Sequence, residues 1–88
     1  MKYVLVEVDE RDILTPECFD SIELAREKMF SGVANIMGYT TNEIKDIYES
    51  GEDTSGDYFG VFSDYAYAER HGNNFDWRIF KLENGELL

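Results

Sequence analysis

Cysteine, proline and histidine each occur once in this 88-residue chain, as Cys18, Pro16 and His71. A single cysteine excludes an internal disulfide and fits a reducing compartment. One Cys and one His, far apart, offer no zinc-ligand set of known spacing. Long apolar runs are missing too, and none approaches the roughly 18 residues of a membrane-spanning helix. The opening Met-Lys-Tyr-Val-Leu-Val-Glu-Val is too short and too soon acidic for a secretion signal, so the expected location is cytoplasmic. Bases are scarce: eight Lys and Arg stand against nineteen Asp and Glu, a net charge of −11. Such a surface repels phosphate, which disfavours direct nucleic-acid binding and anionic membranes. It favours basic protein surfaces, with fast and salt-sensitive association. Solubility alone is the plainer use of the same charge.

What is present argues for a folded unit. Hydrophobic residues make up 43% of the chain and aromatics 15%, too rich for disorder. The length fits a single domain over 1–88 with a thin core. Residues 2–8 alternate, with Val4, Val6 and Val8 on one face and Tyr3, Leu5 and Glu7 on the other, which reads as a strand. Residues 9–19 read as a connector in which Pro16 forbids regular pairing, with Ile13, Leu14 and Phe19 tucked against the core. Asp20 and Glu23 resemble a capping box. Ile22, Ala25, Met29, Val33 and Ile36 share one face of a helix over 21–37, which Gly38 stops. Thr40 and Glu43 form a second capping signal, opening a helix whose apolar face is Ile44, Ile47 and Tyr48 and whose end is Gly51.

The loop from Gly51 to Asp57 shows no apolar anchor and is expected to be mobile. Residues 58–62 are apolar but short, and fit either a strand or a helical turn. Residues 65–70 alternate cleanly, His71-Gly72-Asn73-Asn74 is a turn cluster, and residues 75–82 complete a hairpin. Asn84-Gly85 signals a further turn and a short tail strand over 86–88. The expected fold is therefore α+β, a two-layer sandwich of order β-α-α-β-β with a three-stranded antiparallel sheet. In it Ala66 and Ala68 share the helix-covered face with Val4, Val6 and Val8. Tyr3, Tyr65, Tyr67 and Trp77 lie on the opposite face.

Catalysis finds little to work with. A calcium loop begun at Asp53 would need an acid at its third position and Gly at its sixth, where Ser55 and Tyr58 stand. His71 sits in a turn without companions, and Cys18 has no neighbouring cation to activate it. There is no Gly-rich phosphate loop, so an enzyme is not expected and no cofactor is implied. The aromatics resemble the base-stacking platform of a sheet-based RNA binder, but Glu7, Glu69 and Asp76 would frame it where Lys and Arg are needed. They fit core packing, or a protein interface anchored by Tyr and Trp.

The acids themselves cluster. Residues 7–27 hold eight of them against Arg11 and Arg26, and residues 43–57 hold six, Glu43, Asp46, Glu49, Glu52, Asp53 and Asp57, against Lys45. Helical residues three apart rise about 4.5 Å, so Glu43, Asp46 and Glu49 make a carboxylate row on the scale of the ~3.4 Å phosphate repeat along a DNA strand. Tyr48 and Tyr58 flank this segment as apolar anchors.

Two stretches, Phe19-Asp20-Ser21-Ile22-Glu23-Leu24-Ala25 and Gly72-Asn73-Asn74-Phe75-Asp76-Trp77-Arg78-Ile79-Phe80, resemble short proteins of bacteriophages and conjugative elements. In size and acidity the chain is similar to the anti-CRISPR class of host-defence inhibitors. That resemblance implies a partner with a positively charged DNA-binding or PAM-reading channel, and it assigns no site residue. Three functions follow as expectations. The first is inhibition of a nucleic-acid-handling protein, such as a CRISPR nuclease, through its basic groove. The second is protein–protein contact through the aromatic sheet face. The third is weak metal binding or a small enzymatic activity.

Overall fold

A computed structural model describes residues 2–83 and 86–87. Strand β1 (Lys2–Asp9) turns back through β2 (Asp12–Ile13) and β3 (Glu17–Phe19), and helices α1 (Ile22–Met37) and α2 (Thr41–Ser50) follow. A 3-10 turn (Ser55–Asp57) leads into a meander of β4 (Phe59–Val61), β5 (Tyr65–Arg70) and β6 (Asn73–Glu83), and β7 (Glu86–Leu87) folds back on β6. The sheet runs β2-β1-β6-β5-β4, with β3 also on β1 and β7 on β6, all antiparallel. The α+β class stands. The three-stranded sheet does not, and the tight turn expected at Asn84-Gly85 lies outside the described residues.

The added strands come from the stretch expected to be an unpaired connector. Val8 faces Ile13 on one side of Pro16, and Leu5 faces Glu17 on the other. The Leu14 N–H still donates to the Glu7 carbonyl at 2.9 Å, so three steps from Leu14 to Glu17 match two from Glu7 to Leu5. That surplus residue is a local bulge, which leaves Pro16 between the two paired segments, where no ladder donor is required of it. The edge therefore pairs on both sides of the proline. Ile13 and Leu14 end 69% and 42% exposed rather than tucked in, while Phe19 packs on the core.

The face of β1 is the second correction. Leu5 pairs with Ile79 and Glu7 with Trp77, and across the next ladder Ala66 pairs with Trp77 and Ala68 with Phe75. These positions lie under the helices. Val4, Val6 and Val8 pair with Phe80, Arg78 and Asp76 on the open side. Both faces of β1 are apolar, so its own pattern is indifferent. β6 decides, because Trp77 and Ile79 cannot be buried together with Asp76 and Arg78. Glu7 consequently lies half-buried on the helix side, and the Trp77 indole N–H donates to its Oε1 at 2.7 Å.

Helix α1 lies over this face. Ala25, Met29, Phe30, Val33 and Ala34 are buried along it, and Leu24 is exposed as expected. Its cap is Ser21, whose Oγ accepts from the Leu24 N–H at 3.2 Å, one residue later than the Asp20–Glu23 box the sequence offers. Gly38 ends it at φ 80°, and Arg70 donates to the Ile36 carbonyl at 2.7 Å, satisfying one of the last free carbonyls of the helix. Helix α2 begins with the expected capping box, in which Thr40 Oγ1 accepts from the Glu43 N–H and Glu43 Oε1 from the Thr40 N–H. It buries Ile44 and leaves Ile47 and Tyr48 half-buried. The β5–β6 turn holds His71 at φ 54° and Gly72 at φ 80°, the pair of positive values that a two-residue I′ hairpin turn demands. Residues 58–62 resolve into a left-handed Tyr58 followed by the short β4.

Candidate functional site

The acidic segment begins on α2. Glu43, Asp46 and Glu49 are all exposed on the side away from Ile44. Glu43 is engaged in the capping box, whereas Asp46 and Glu49 have no basic partner among the described residues. Gly51, at φ 70°, redirects the chain, so that Glu52, Asp53 and Asp57 follow on the loop, exposed as well.

That loop is held more firmly than its composition suggests. Thr54 is buried, and its Oγ1 donates to the Phe59 carbonyl at 2.6 Å. Asp53 Oδ1 accepts from the Ser55 N–H at 3.0 Å and from the Ser55 Oγ at 2.8 Å. Those bonds, the backbone one first, hold the Asp53 carboxyl below the usual range. A single 3-10 turn then closes the loop, with the Asp57 N–H donating to the Thr54 carbonyl at 2.8 Å. The loop without an apolar anchor is thus tied by hydrogen bonds into a pinned turn, with one buried threonine at its base.

The two expected anchors differ. Tyr58 is 64% exposed next to Asp57. Tyr48 is half-buried, its ring 5.2 Å from that of Phe30 and covered by the Arg26 guanidinium at 5.7 Å. It packs between α1 and α2 and lines the groove between them.

The second acidic cluster is partly absorbed by the fold. Glu7 serves Trp77, Glu10 accepts from the Asn74 N–H at 2.9 Å, and Asp20 pairs with Lys2. Only Glu23 and Glu27 join the α2 acids, lining with Glu49 and Lys45 a groove of about 390 Å³ between the two helices. Sequence spacing kept these groups in separate clusters; an i, i+4 pair on α1 facing α2 was the available signal.

Three of the scarce bases are engaged by their own chain. Arg26 donates from Nε to the Ser63 carbonyl at 2.7 Å, Arg70 holds Ile36, and Arg78 lies over the Tyr65 ring at 5.4 Å. Lys2–Asp20 is the one ion pair among the described residues. Among those residues, no group of three or more His, Cys, Asp and Glu side chains is placed to hold a metal ion, and no helix is long and apolar enough to cross a membrane. Cys18 is an exposed free thiol.

The chain has no match. Neither family models, nor characterised proteins, nor solved structures show a significant similarity to it.

The other candidate surface is the uncovered side of the sheet, and its composition is not the one the sequence implies. Trp77 is 1% exposed and Tyr3 and Phe75 pack on the core, so the aromatic platform is divided between the faces. Tyr65 and Tyr67 remain on the open side, with Phe62 stacked on Tyr65 at 4.6 Å. Val4, Val6, Val8 and Phe80 join them, and Val6, Val8 and Phe80 line a shallow groove of about 210 Å³ with Asp76 and Arg78. The valines escaped notice as surface residues because strand periodicity alone gave them to the core.

Proposed function

We propose that this chain is a non-enzymatic binding module that presents an acidic surface to the basic groove of a nucleic-acid-handling protein, such as a CRISPR nuclease. One observation carries the reading. Asp46, Glu49, Glu52 and Asp57 are exposed without basic partners among the described residues, while Arg26 and Arg70 are committed to carbonyls of their own chain. Unpaired carboxylates held on a capped helix and a pinned turn form a fixed negative field. Such a field steers a positively charged partner and loses little freedom on docking. Glu43 and Asp53 add charge to it while holding the backbone. Tyr58 supplies an exposed aromatic at its end.

The test is inhibition of DNA binding and cleavage by CRISPR nucleases and other DNA-binding proteins, measured from low to high salt. The expected result is binding that weakens steeply with salt and is competed by duplex DNA. The triple variant Glu49→Lys, Glu52→Lys, Asp53→Lys, verified as folded by circular dichroism, should lose inhibition. Inhibition retained by that variant would sink the reading.

A further inference from the structure

The open face of the sheet is a second surface, and its properties do not depend on the acidic reading of α2. On a molecule with nineteen acids and eight bases, this face is close to neutral: Lys2 and Arg78 stand against Glu69, Asp76 and the Asp20 that pairs with Lys2. Its middle is apolar, with Val4, Val6, Val8 and Phe80 only half-buried by their neighbours. An exposed apolar sheet face of this kind needs a covering layer to remove it from water.

We infer that this face is covered by a second copy of the same chain, packed sheet on sheet around a two-fold axis. Three observations favour that occupant. Two equally acidic molecules repel one another over most of their surfaces, and this nearly neutral face is where they approach with least opposition. Arg78 and Asp76 are neighbours on this face of β6, the central strand of the sheet. A two-fold axis passing between them sets each Arg78 against Asp76 of the second copy, the self-complementarity an isologous contact requires. The area also suffices. Strand β1 has eight residues, about 27 Å at ~3.4 Å per residue, and the strands stack ~4.8 Å apart. With β2, β4 and β5 shorter than β1 and β6 longer, the face is roughly 500 Å² in projection, below the ~800 Å² that each partner gives to a standard interface and suited to a weak dimer. The ring of Tyr67 fills the space above Gly60, where a Cβ would meet it at 2.5 Å, so the β4 end of the face is closed over rather than left as a gap.

Sedimentation velocity of the full chain over roughly 10–500 µM tests this, a range that brackets the weaker affinities interfaces of this size reach. The expected species is a dimer. Val6→Lys, on a face the helices do not touch, should raise its dissociation constant by more than about tenfold with an unchanged circular dichroism spectrum. Asp76→Arg and Arg78→Asp should each weaken the dimer singly, and the double exchange should restore it. A wild-type chain that is monomeric throughout the range overturns the inference. So does a dimer indifferent to Val6→Lys. Inhibition of a DNA-binding partner is read separately through the α2 variant, so either proposal can fail without the other.

Discussion

Trp77 is the residue on which the interior turns. Burying a side chain of its size is worth roughly 4–6 kcal/mol of transfer free energy, and it does so only because two neighbours yield space. Ala66 pairs with it across the sheet, and Gly32 passes directly over its indole. A Cβ at position 32 would stand 2.7 Å from Trp77 Nε1. Gly32→Ala is therefore expected to destabilise the fold by about 1–3 kcal/mol, despite alanine's better helix propensity. Urea unfolding followed by tryptophan fluorescence measures this, and a stabilised variant would show that α1 does not sit where described. Removing the acceptor is expected to cost a comparable amount. Glu7→Ala leaves a buried indole N–H unpaired, at about 1–3 kcal/mol, and the same fluorescence should report it. Asp53 gives the pH-dependent case. Its carboxyl is held low by the Ser55 backbone and hydroxyl, so its contribution is present above about pH 4 and fades as the pH falls through the lowered native value. A carboxyl-carbon NMR titration should place Asp53 below the ordinary aspartate midpoint, and Ser55→Ala should move it upward. An ordinary midpoint in the wild type would remove the pinned turn.

At the scale of elements, helix α2 and its loop form one device. Ten residues (Thr41–Ser50) are marginal as a free helix, so the capping box and the burial of Ile44 carry it. Thr40→Ala is expected to cost about 1 kcal/mol, measured by chemical denaturation, and to raise amide exchange from Asn42 onward. A cost near zero would mean that Ile44 alone fixes the helix. This element was the most legible in the chain. Its cap, its apolar face and its glycine stop are all local, and all stand where the sequence put them. The pinning of the loop after it was not legible because its anchor, Thr54, is a polar residue whose partner carbonyl belongs to Phe59. The 9–19 segment failed for a related reason: its pairing depends on β1, and a bulge hides the register from any local pattern.

At the scale of the molecule, charge sets the behaviour. With one ion pair among the described residues and a net charge of −11, screening removes more repulsion than attraction. The thermal midpoint should therefore rise between low salt and about 0.5 M NaCl, where the Debye length falls well below the ~8 Å of physiological solution. A midpoint that falls would mean that ion pairs dominate after all.

Class and chemistry were set by the residues in order: the two helices with their stops, the β5–β6 hairpin with His71 and Gly72 in its turn, and the acidic run along α2. Each depends on contacts a few positions apart, which is the range over which a sequence pattern carries information. The sheet's order, the turning of Leu5 and Glu7 to the helix side in place of the valines, and the meeting of Glu23, Glu27 and Glu49 across two helices were decided by the tertiary structure alone. Strand β1 is apolar on both sides and could have been buried either way. Its pairing with β6, far along the chain, made the choice, because Trp77 fits beneath Gly32 and Arg78 does not.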